Sequence, residues 1–239
     1  MKLKVLKFGG TSLRSAATRK YVYQHIMSFA KDYKLIIVVS AMGSYGDPYA
    51  TDTLISLGSD ALASEEKASL VSLGEQLSSL VVCSELLGLG LSSYALPFQY
   101  AGIITDHNYD YAKVVKLDNT RIKNKLNDVD IIVVGGFIAM NALKEVTTLG
   151  RGGSDYSAVL FAKMLGLDEV SIFTDVDGVY DVDPKISNIA LKYEHLSYDE
   201  MLNMNSRVLH DRCVSFAKEE HIKIYLRGTF SKNMGTLVE

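Results

Sequence analysis

The sequence predicts an α/β fold, a three-layer αβα sandwich around a mainly parallel sheet. Short runs rich in β-branched residues alternate with longer amphipathic stretches along the 239 residues. Several of these runs, such as LIIVV at 35–39 and IIVV at 131–134, are apolar throughout, which is typical of strands buried on both faces. Helical patterns separate most of them, as in folds where helices cover both faces of a parallel sheet.

The elements follow from these patterns in chain order. LKVLKF at 3–8 is typical of a strand, and the helix expected over 14–33 carries apolar residues near helical spacing (Ala17, Val22, Ile26, Phe29). The later expectations are a buried strand at 34–40, helices at 52–63 and 66–87, a strand at 129–137, a helix at about 154–166, a strand at 169–176, a helix around 208–220 and a strand at 221–226. Residues 98–117, with three tyrosines, are the least regular and predict a hairpin or a flap.

The chain reads as one domain with two lobes. It contains no internal repeat, low-complexity tract or linker, and its prolines number three. We therefore expect a single domain over 1–239, with an N-terminal lobe at about 1–150 and a C-terminal lobe at about 151–239.

Composition excludes several classes of protein. A hydrophobic content of 48% with 22% charged residues predicts a sizeable core, and a net charge of −3 argues against a nucleic-acid partner. The apolar runs are too short for a bilayer and the N-terminus does not resemble a signal peptide, so we expect a cytoplasmic protein without a membrane partner. Cys83 and Cys213 lie far apart and predict free thiols, and the scattered histidines predict no metal site.

Glycine-rich turns follow several predicted strands: KFGGTS (7–12), SAMGS (40–44), GGF (135–137) and TDVDGVY (174–180). At the carboxyl ends of parallel strands, such turns bring backbone N–H groups close to a phosphate, and the next helix adds its dipole. In TTLGRGGSDYSAV (147–159), three glycines surround Arg151 just before a predicted helix. This arrangement predicts a grip on an anionic substrate.

Three named motifs do not fit. No G-x-x-x-x-G-K-[ST] occurs, and GLGLSS (88–93) fails G-x-G-x-x-G at its last position. DVDGVYDVD (175–183) is acidic like a calcium loop, but its glycine is misplaced and Ile186 stands where the bidentate glutamate should be. The sequence is therefore neither a Walker-type NTPase nor a standard dinucleotide binder.

KFGGTS, VVSAMG, TTLGRGGSD, TDVDGVY-x-x-DP, RVLH and the terminal GTLV together resemble the catalytic domain of the aspartokinases, within the amino acid kinase superfamily. The segment GDPYATD (46–52) is similar to that of the aspartokinase I type of spore-forming Gram-positive bacteria. The resemblance implies a carbamate kinase-like fold with a substrate-side N-terminal lobe and a nucleotide-side C-terminal lobe. It also implies transfer of the γ-phosphoryl group of ATP, with Mg²⁺, to the side-chain carboxylate of L-aspartate, the first step towards lysine, threonine and methionine.

The resemblance also implies roles for individual residues. Lys7 would stabilise the transferred phosphoryl group and Asp155 would line the catalytic centre, orienting Lys7 or the substrate ammonium. The implied substrate-binding residues are Ser40, Thr51, Glu75, Phe137, Arg151, Gly152, Gly153 and Ser154. The implied nucleotide-binding residues are Lys7, Phe8, Gly9, Gly10, Thr174, Asp175, Tyr180, Asp183, Pro184, Lys185, Arg207 and Val208.

Each role has a plainer alternative. Lys7 could be a lysine snorkelling at a strand end, and Arg151 a surface ion pair. Ser154 is also a good helix N-cap, and Asp155 suits the dipole of a helix start. Without the resemblance, Glu75 reads as part of a solvated helix face. Phe137 and Tyr180 read equally as core aromatics.

Departures from the family concern the nucleotide side and the C-terminus. Lys185 stands where the family commonly has an arginine, and Arg207 stands where it usually has a lysine. Asp211 replaces a proline, and the 200–210 segment is shorter than the family pattern. ACT modules that sense end products would follow GTLV in typical members, so we expect no feedback control unless a separate ACT-containing chain supplies it. We also expect a homodimer. The alternative functions are a kinase for another amino or carboxylic acid and a non-enzymatic binding or regulatory subunit.

Overall fold

A computed structural model describes residues 2–182, 186, 190–204 and 208–239. The strands are β1 (Lys2–Phe8), β2 (Tyr33–Val39), β3 (Ser93–Leu96), β4 (Ile103–Thr105), β5 (Val114–Leu117), β6 (Ile131–Gly135), β7 (Ile138–Asn141), β8 (Val146–Thr148), β9 (Glu169–Thr174), β10 (Val179–Tyr180), β11 (Lys192–Tyr193), β12 (His195–Leu196), β13 (Lys223–Gly228) and β14 (Thr236–Val238). The helices are α1 (Gly10–Leu13), α2 (Ala16–Phe29), α3 (Thr51–Leu57), α4 (Ser64–Gly88), α5 (Thr120–Lys125), α6 (Gly153–Leu165), α7 (Tyr198–Asn203) and α8 (Asp211–Glu219).

The main sheet has the strand order β12-β14-β13-β9-β1-β2-β6-β3. From β13 to β3 every neighbouring pair is parallel, whereas β14 runs antiparallel to β13. The predicted mainly parallel sheet is confirmed. Because parallel strands end at the same edge, the turns after β1, β2, β6 and β9 all lie at one edge of the sheet.

Helices cover both faces of this sheet, as the continuous apolar strands predict. Along β1, Val5 points into a core shared with α6 and α8, and Leu6 and Phe8 point into a core shared with α2 and α4. The same alternation along β2 places Ile36 in the first core and Ile37 in the second. The three-layer sandwich is confirmed, and both cysteines are free and buried within it.

A second, four-stranded sheet with the order β5-β4-β7-β8 stands beside the main one. β4 and β5 are antiparallel, so the irregular segment 98–117 does contain a hairpin. β7 continues from β6 through Gly136 and Phe137, and β8 leads into the turn before α6. This sheet therefore joins the end of a core strand to the start of a core helix.

Three predicted helices have different bounds. The first begins after Ser15, which forms a capping box with Thr18. The helix expected over 52–63 ends at Leu57, because Gly58 turns to an extended backbone and caps it. The helix expected around 208–220 begins at Asp211, where the His210 side chain accepts a hydrogen bond from the Arg212 N–H. In each case a local cap ends or starts the helix inside a longer helical pattern.

α4 is long and apolar enough to cross a membrane by length and composition, with a mean hydropathy of 1.3 over its most apolar window. Half of that window is buried inside the protein, where α4 packs on β3 and β6. It also carries the buried carboxyl group of Glu75. We interpret α4 as a core helix, which passes the same test.

Candidate active site

The carboxyl edge of the main sheet gathers the predicted site residues. Lys7 and Gly9 lie at the end of β1, Ser40 follows β2, Phe137 follows β6, and Thr174 ends β9. The N–H of Gly9 donates to the carbonyl of Phe173 at 3.3 Å, which ties the turn after β1 to the end of β9. The N-terminus of α6 lies at the same edge, since Ser154 contacts Ser40.

A cavity of about 450 Å³ opens beside this edge. All eight residues that the sequence assigned to the substrate line it: Ser40, Thr51, Glu75, Phe137, Arg151, Gly152, Gly153 and Ser154. They come from five separate parts of the chain. The fold therefore brings the predicted substrate residues to one place.

The Arg151 turn is built on two glycines with left-handed backbones, Gly150 (φ 76°) and Gly152 (φ 71°). A Cβ at Gly150 would lie 2.1 Å from the Tyr111 ring, and one at Gly152 would lie 2.3 Å from Cβ of His210. Both positions therefore require glycine for conformation and for space. The Arg151 side chain is exposed and has no hydrogen-bond or ion-pair partner among the described residues.

Lys7 and Asp155 form a buried ion pair, with 2.5 Å between Nζ and Oδ1. Their side chains are 8% and 12% exposed, so the ammonium does not reach solvent as a snorkelling lysine would. Asp155 stands in the first turn of α6, where a carboxylate also suits the helix dipole. Lys7 does not line the cavity, but Asp155 is the next residue after cavity-lining Ser154. A Cβ at Gly9 would lie 3.7 Å from the ammonium, so the glycine turn passes close to it.

Ser154 is not the N-cap of α6. The cap is Gly152, and no side chain among the described residues caps this helix. The Ser154 hydroxyl instead shares a hydrogen bond of 2.8 Å with the Ser40 hydroxyl across the cavity wall. The N-cap interpretation is wrong because the left-handed Gly152 starts the helix two residues earlier.

Glu75 lies on the buried side of α4 and is 2% exposed, so the solvated-face interpretation is also wrong. Its Oε1 accepts from the Ala41 N–H at 3.2 Å and from the Thr51 hydroxyl at 3.4 Å. Oε2 has no hydrogen-bond partner, and no cation is paired with the carboxyl group among the described residues. Burial raises the pKa of Glu75 to about 8.

Phe137 adopts a left-handed backbone, with φ of 65°. Its N–H donates to the Ser157 hydroxyl at 2.9 Å, and its carbonyl accepts from the Leu149 N–H at 2.8 Å. The resemblance implies that Phe137 binds the substrate. Since the N–H is engaged inside the protein, the part-exposed ring is the group that remains for the cavity.

The first nucleotide turn is packed tightly. The Phe8 ring is fully buried and stacks on Phe173 with 4.7 Å between centroids, so only its backbone could meet a ligand. The Phe8 carbonyl already accepts from the Ser40 N–H at 3.2 Å. A Cβ at Gly10 would lie 2.4 Å and 2.5 Å from the carbonyl oxygens of Gly43 and Ala41. Gly10 therefore lets the turns after β1 and β2 touch.

The second nucleotide segment follows β9. The Thr174 hydroxyl donates to the Val176 carbonyl at 2.8 Å, and the Tyr180 hydroxyl donates to Asp177 at 2.5 Å. Asp177 raises the pKa of Tyr180 to about 12. Thr174, Asp175, Tyr180 and Val208 do not line the cavity described above, and Val208 packs partly buried against the core. The predicted residues Asp183, Pro184, Lys185 and Arg207 lie outside the described residues.

Sequence patterns missed other residues of the cavity wall, notably Asp52, Lys67 and Asp110. Lys67 lies on α4 and Asp110 in the hairpin loop, far from any glycine-rich turn. Nothing in their local sequence marks them as cavity residues. In the part of the chain that the structure describes, no three His, Cys, Asp or Glu side chains are grouped to hold a metal ion.

Comparisons with known proteins identify the family of this chain. The model of the amino acid kinase family matches residues 2–228. Aspartokinase 1 of Bacillus subtilis (strain 168) is 38% identical over 245 residues, which cover 100% of this chain and 61% of that protein. The chain thus spans about three fifths of the length of the curated relatives it matches.

Solved structures give the same result. Aspartate kinase from Synechocystis is 32% identical with a TM-score of 0.84, over 99% of this chain and 39% of that one. Aspartokinase III of E. coli, crystallised with aspartate and ADP, has a TM-score of 0.83 over 100% of this chain and 64% of that one. Its sequence identity is 23%, so that likeness concerns the fold alone.

Proposed function

Since this chain belongs to the amino acid kinase family, we propose that it transfers the γ-phosphoryl group of ATP to the side-chain carboxylate of L-aspartate. The product would be 4-phospho-L-aspartate. Relatives named aspartokinase at 34–38% identity over essentially the whole chain support this choice. The observation that carries it is one cavity lined by the Arg151 guanidinium and the buried Glu75 carboxyl group, neither of which has an ion-pair partner among the described residues.

L-Aspartate matches these two groups. A carboxylate would pair with the planar fork of Arg151, which binds such groups through two parallel hydrogen bonds. The ammonium would meet Glu75, whose free Oε2 would then gain a donor and a charge partner. The Ser40 and Ser154 hydroxyls, 2.8 Å apart, would add donors near the helix start. A second carboxylate is then free to accept the phosphoryl group.

Lys7 would stabilise the phosphoryl group during transfer. Such reactions depend on positioning and on neutralising charge more than on covalent chemistry by the protein. Asp155, 2.5 Å from the ammonium, would hold it in place, and the Gly9–Gly10 turn would let phosphate oxygens approach. Mg²⁺, when bound, would neutralise charge on the phosphates.

The nucleotide would lie toward the end of β9. Thr174 is the last residue of β9, Asp175 follows it and Tyr180 ends β10, and the E. coli protein of the same fold was crystallised with ADP. Asp183, Pro184, Lys185, Arg207 and Val208 stay predictions for the same site. A cytoplasmic location, a homodimer and regulation by a separate ACT-containing chain also stay predictions.

The test is a hydroxylamine trapping assay with different acceptor acids. Purified protein with ATP, Mg²⁺ and L-aspartate should form aspartyl hydroxamate when hydroxylamine traps the acyl phosphate. Succinate, which lacks the ammonium, and glutamate, which is one methylene longer, should be poor substrates. No product at millimolar aspartate would contradict the proposal, and a preference for another acid would support the alternative kinase.

A further inference from the structure

Arg212, at the start of α8, joins three separated parts of the chain. Its guanidinium carbon lies 4.4 Å from the ring centroids of both Tyr111, in the hairpin loop, and Tyr156, on α6. Nη1 donates to the Leu149 carbonyl at 2.7 Å, and Nη2 donates to the Ala112 carbonyl at 2.6 Å. One planar side chain thus links the hairpin loop, the turn before α6 and two helices.

The chemistry of this contact differs from that of an ordinary surface arginine. In the described part of the chain Arg212 has no carboxylate partner, and its fork is used on two backbone carbonyls. Those carbonyls belong to loops and would otherwise need water or another donor. The two rings add cation–π attraction to the guanidinium.

The linked loops carry Arg151. Leu149 lies two residues before it, and the Gly150 carbonyl between them accepts from the Gly153 N–H at 2.9 Å. The Tyr111 ring that stacks on Arg212 also occupies the space a Cβ would need at Gly150. On the hairpin side, the Ala112 N–H donates to the Thr148 carbonyl at 2.8 Å. Movement of Arg212 would therefore loosen the turn on both sides of Gly150.

We propose that Arg212 is a positioning residue that fixes the Arg151 turn, and so sets the affinity for the substrate carboxylate without touching it. The choice of carboxylate rests on the proposed function, whereas the mechanical link does not. A lysine at this position would keep the charge but lose the planar fork. A single ammonium could not replace both the hydrogen bonds to the two carbonyls and the contacts with the two rings.

Steady-state kinetics of Arg212→Lys give the first test. The KM for aspartate should rise about tenfold, the worth of one charge-assisted hydrogen bond. The KM for ATP and kcat should stay within about twofold, because Lys7 and the nucleotide turn are not held by this contact. The matched control is Arg121→Lys, since Arg121 also lies over a tyrosine ring (Tyr100, 5.3 Å) but is exposed and outside the active site.

A double-mutant cycle separates positioning from general damage. In an Arg151→Ala background, Arg212→Lys should change the KM for aspartate by less than about twofold, because its effect passes through Arg151. A full additional tenfold loss in that background would overturn the proposal. So would an equal rise in the KM for ATP.

Hydrogen exchange tests the link without any substrate. In Arg212→Lys, and in Tyr111→Leu, which alters a part-exposed ring, amides of 109–112 and 148–153 should exchange faster than in the wild type, while those of β1 and β2 should not. Arg121→Lys should leave all of them unchanged. Unchanged exchange in both variants would overturn the proposal. Faster exchange in a protein that makes no aspartyl phosphate would refute the proposed function and leave the positioning role standing.

Discussion

The start of α6 and the buried side of α4, both next to the cavity, each hold a buried carboxyl group, and they hold it in opposite ways. In the first turn of α6, Asp155 is 9% exposed and paired with the Lys7 ammonium at 2.5 Å. On α4, Glu75 is 2% exposed, and in the part of the chain that the structure describes it has no cation partner and its Oε2 has no hydrogen-bond partner. The two groups have similar chemistry and similar burial, so the partner is what distinguishes them.

The difference indicates which of the two carboxyl groups needs a ligand to supply its cation. Burial disfavours a charged carboxylate, and a cation at hydrogen-bonding distance offsets that cost. Asp155 has its cation without a ligand, so the pair would be preorganised for the proposed transfer. Glu75 has no cation among the described residues, and burial raises its pKa to about 8, which would suit the ammonium of an amino acid. Variants of the Lys7–Asp155 pair and variants of Glu75 should therefore change different kinetic and binding constants.

The largest effect should come from breaking the α6 pair. Lys7→Met should lower kcat by about 10²–10³, the usual cost of removing one donor to a developing charge. It removes the ammonium beside the transferred group and leaves Asp155 buried without a partner. Hydroxamate formation at saturating substrates measures the loss.

Lys4→Met is the control for that change. Lys4 lies on the same strand, is 6% exposed like Lys7, and is paired with Glu169. It should lower the melting temperature and leave kcat unchanged. Equal losses of kcat in the two variants would mean that stability, not chemistry, explains both.

The next effect concerns the guanidinium at the cavity mouth. Arg151→Ala should raise the KM for aspartate about 30-fold, corresponding to roughly 2 kcal/mol for hydrogen bonds to a charged group. The melting temperature should not change, because the exposed side chain has no partner among the described residues. Lys67→Ala removes another cation of the cavity lining and should have the smaller effect. A larger effect at Lys67 would reassign the carboxylate site.

Glu75→Gln should act through pH. The pKa of Glu75 is about 8 in the folded protein and about 4.5 in the unfolded chain, so the folded state holds the proton more tightly. Its stabilising contribution is complete below about pH 4.5 and is lost as pH rises toward about 8. Substrate-free Glu75→Gln should lack this part of the pH dependence of unfolding.

Calorimetry of aspartate binding tests whether Glu75 is protonated before the substrate binds. At pH 7, aspartate binding to the wild type should release a fraction of one proton, because the incoming ammonium stabilises the Glu75 carboxylate. Titrations in buffers with different ionisation enthalpies measure that release. Glu75→Gln should bind aspartate about tenfold more weakly and release none, as expected for loss of one charged contact. Equal release in both proteins would mean that another group titrates.

The smallest effect should be that of Ser154→Ala. It removes one hydrogen bond to Ser40 and should raise the KM for aspartate about threefold. Because Gly152 caps α6, the free energy of unfolding should change little. Ser197→Ala is the matched control, since Ser197 does cap α7 with Glu200 and its loss should cost about 1 kcal/mol. A similar cost at Ser154 would restore its capping role.

Local sequence patterns predicted five of the eight strands of the main sheet and part of the candidate site. Runs rich in β-branched and apolar residues predicted β1, β2, β6, β9 and β13, and β2 and β6 are apolar over most of their length because strands buried on both faces need apolar side chains on both. Glycines after these strands and the Arg151 turn predicted the carboxyl edge as the site. The bounds of helices were less accurate, since single caps such as Ser15 and Gly58 end a pattern that periodicity alone would continue.

Only the tertiary structure decided which charged groups meet. Lys7 and Asp155 are 148 positions apart, and their pairing depends on β1 lying under the start of α6. Glu75 was ambiguous because α4 is apolar on most of its surface, so its sequence does not show which side is buried. The hydrogen bonds from Arg212 to two distant loops could not be predicted from the local sequence. Periodicity records how one segment meets solvent, whereas a charge pair depends on which segments become neighbours after the chain has folded.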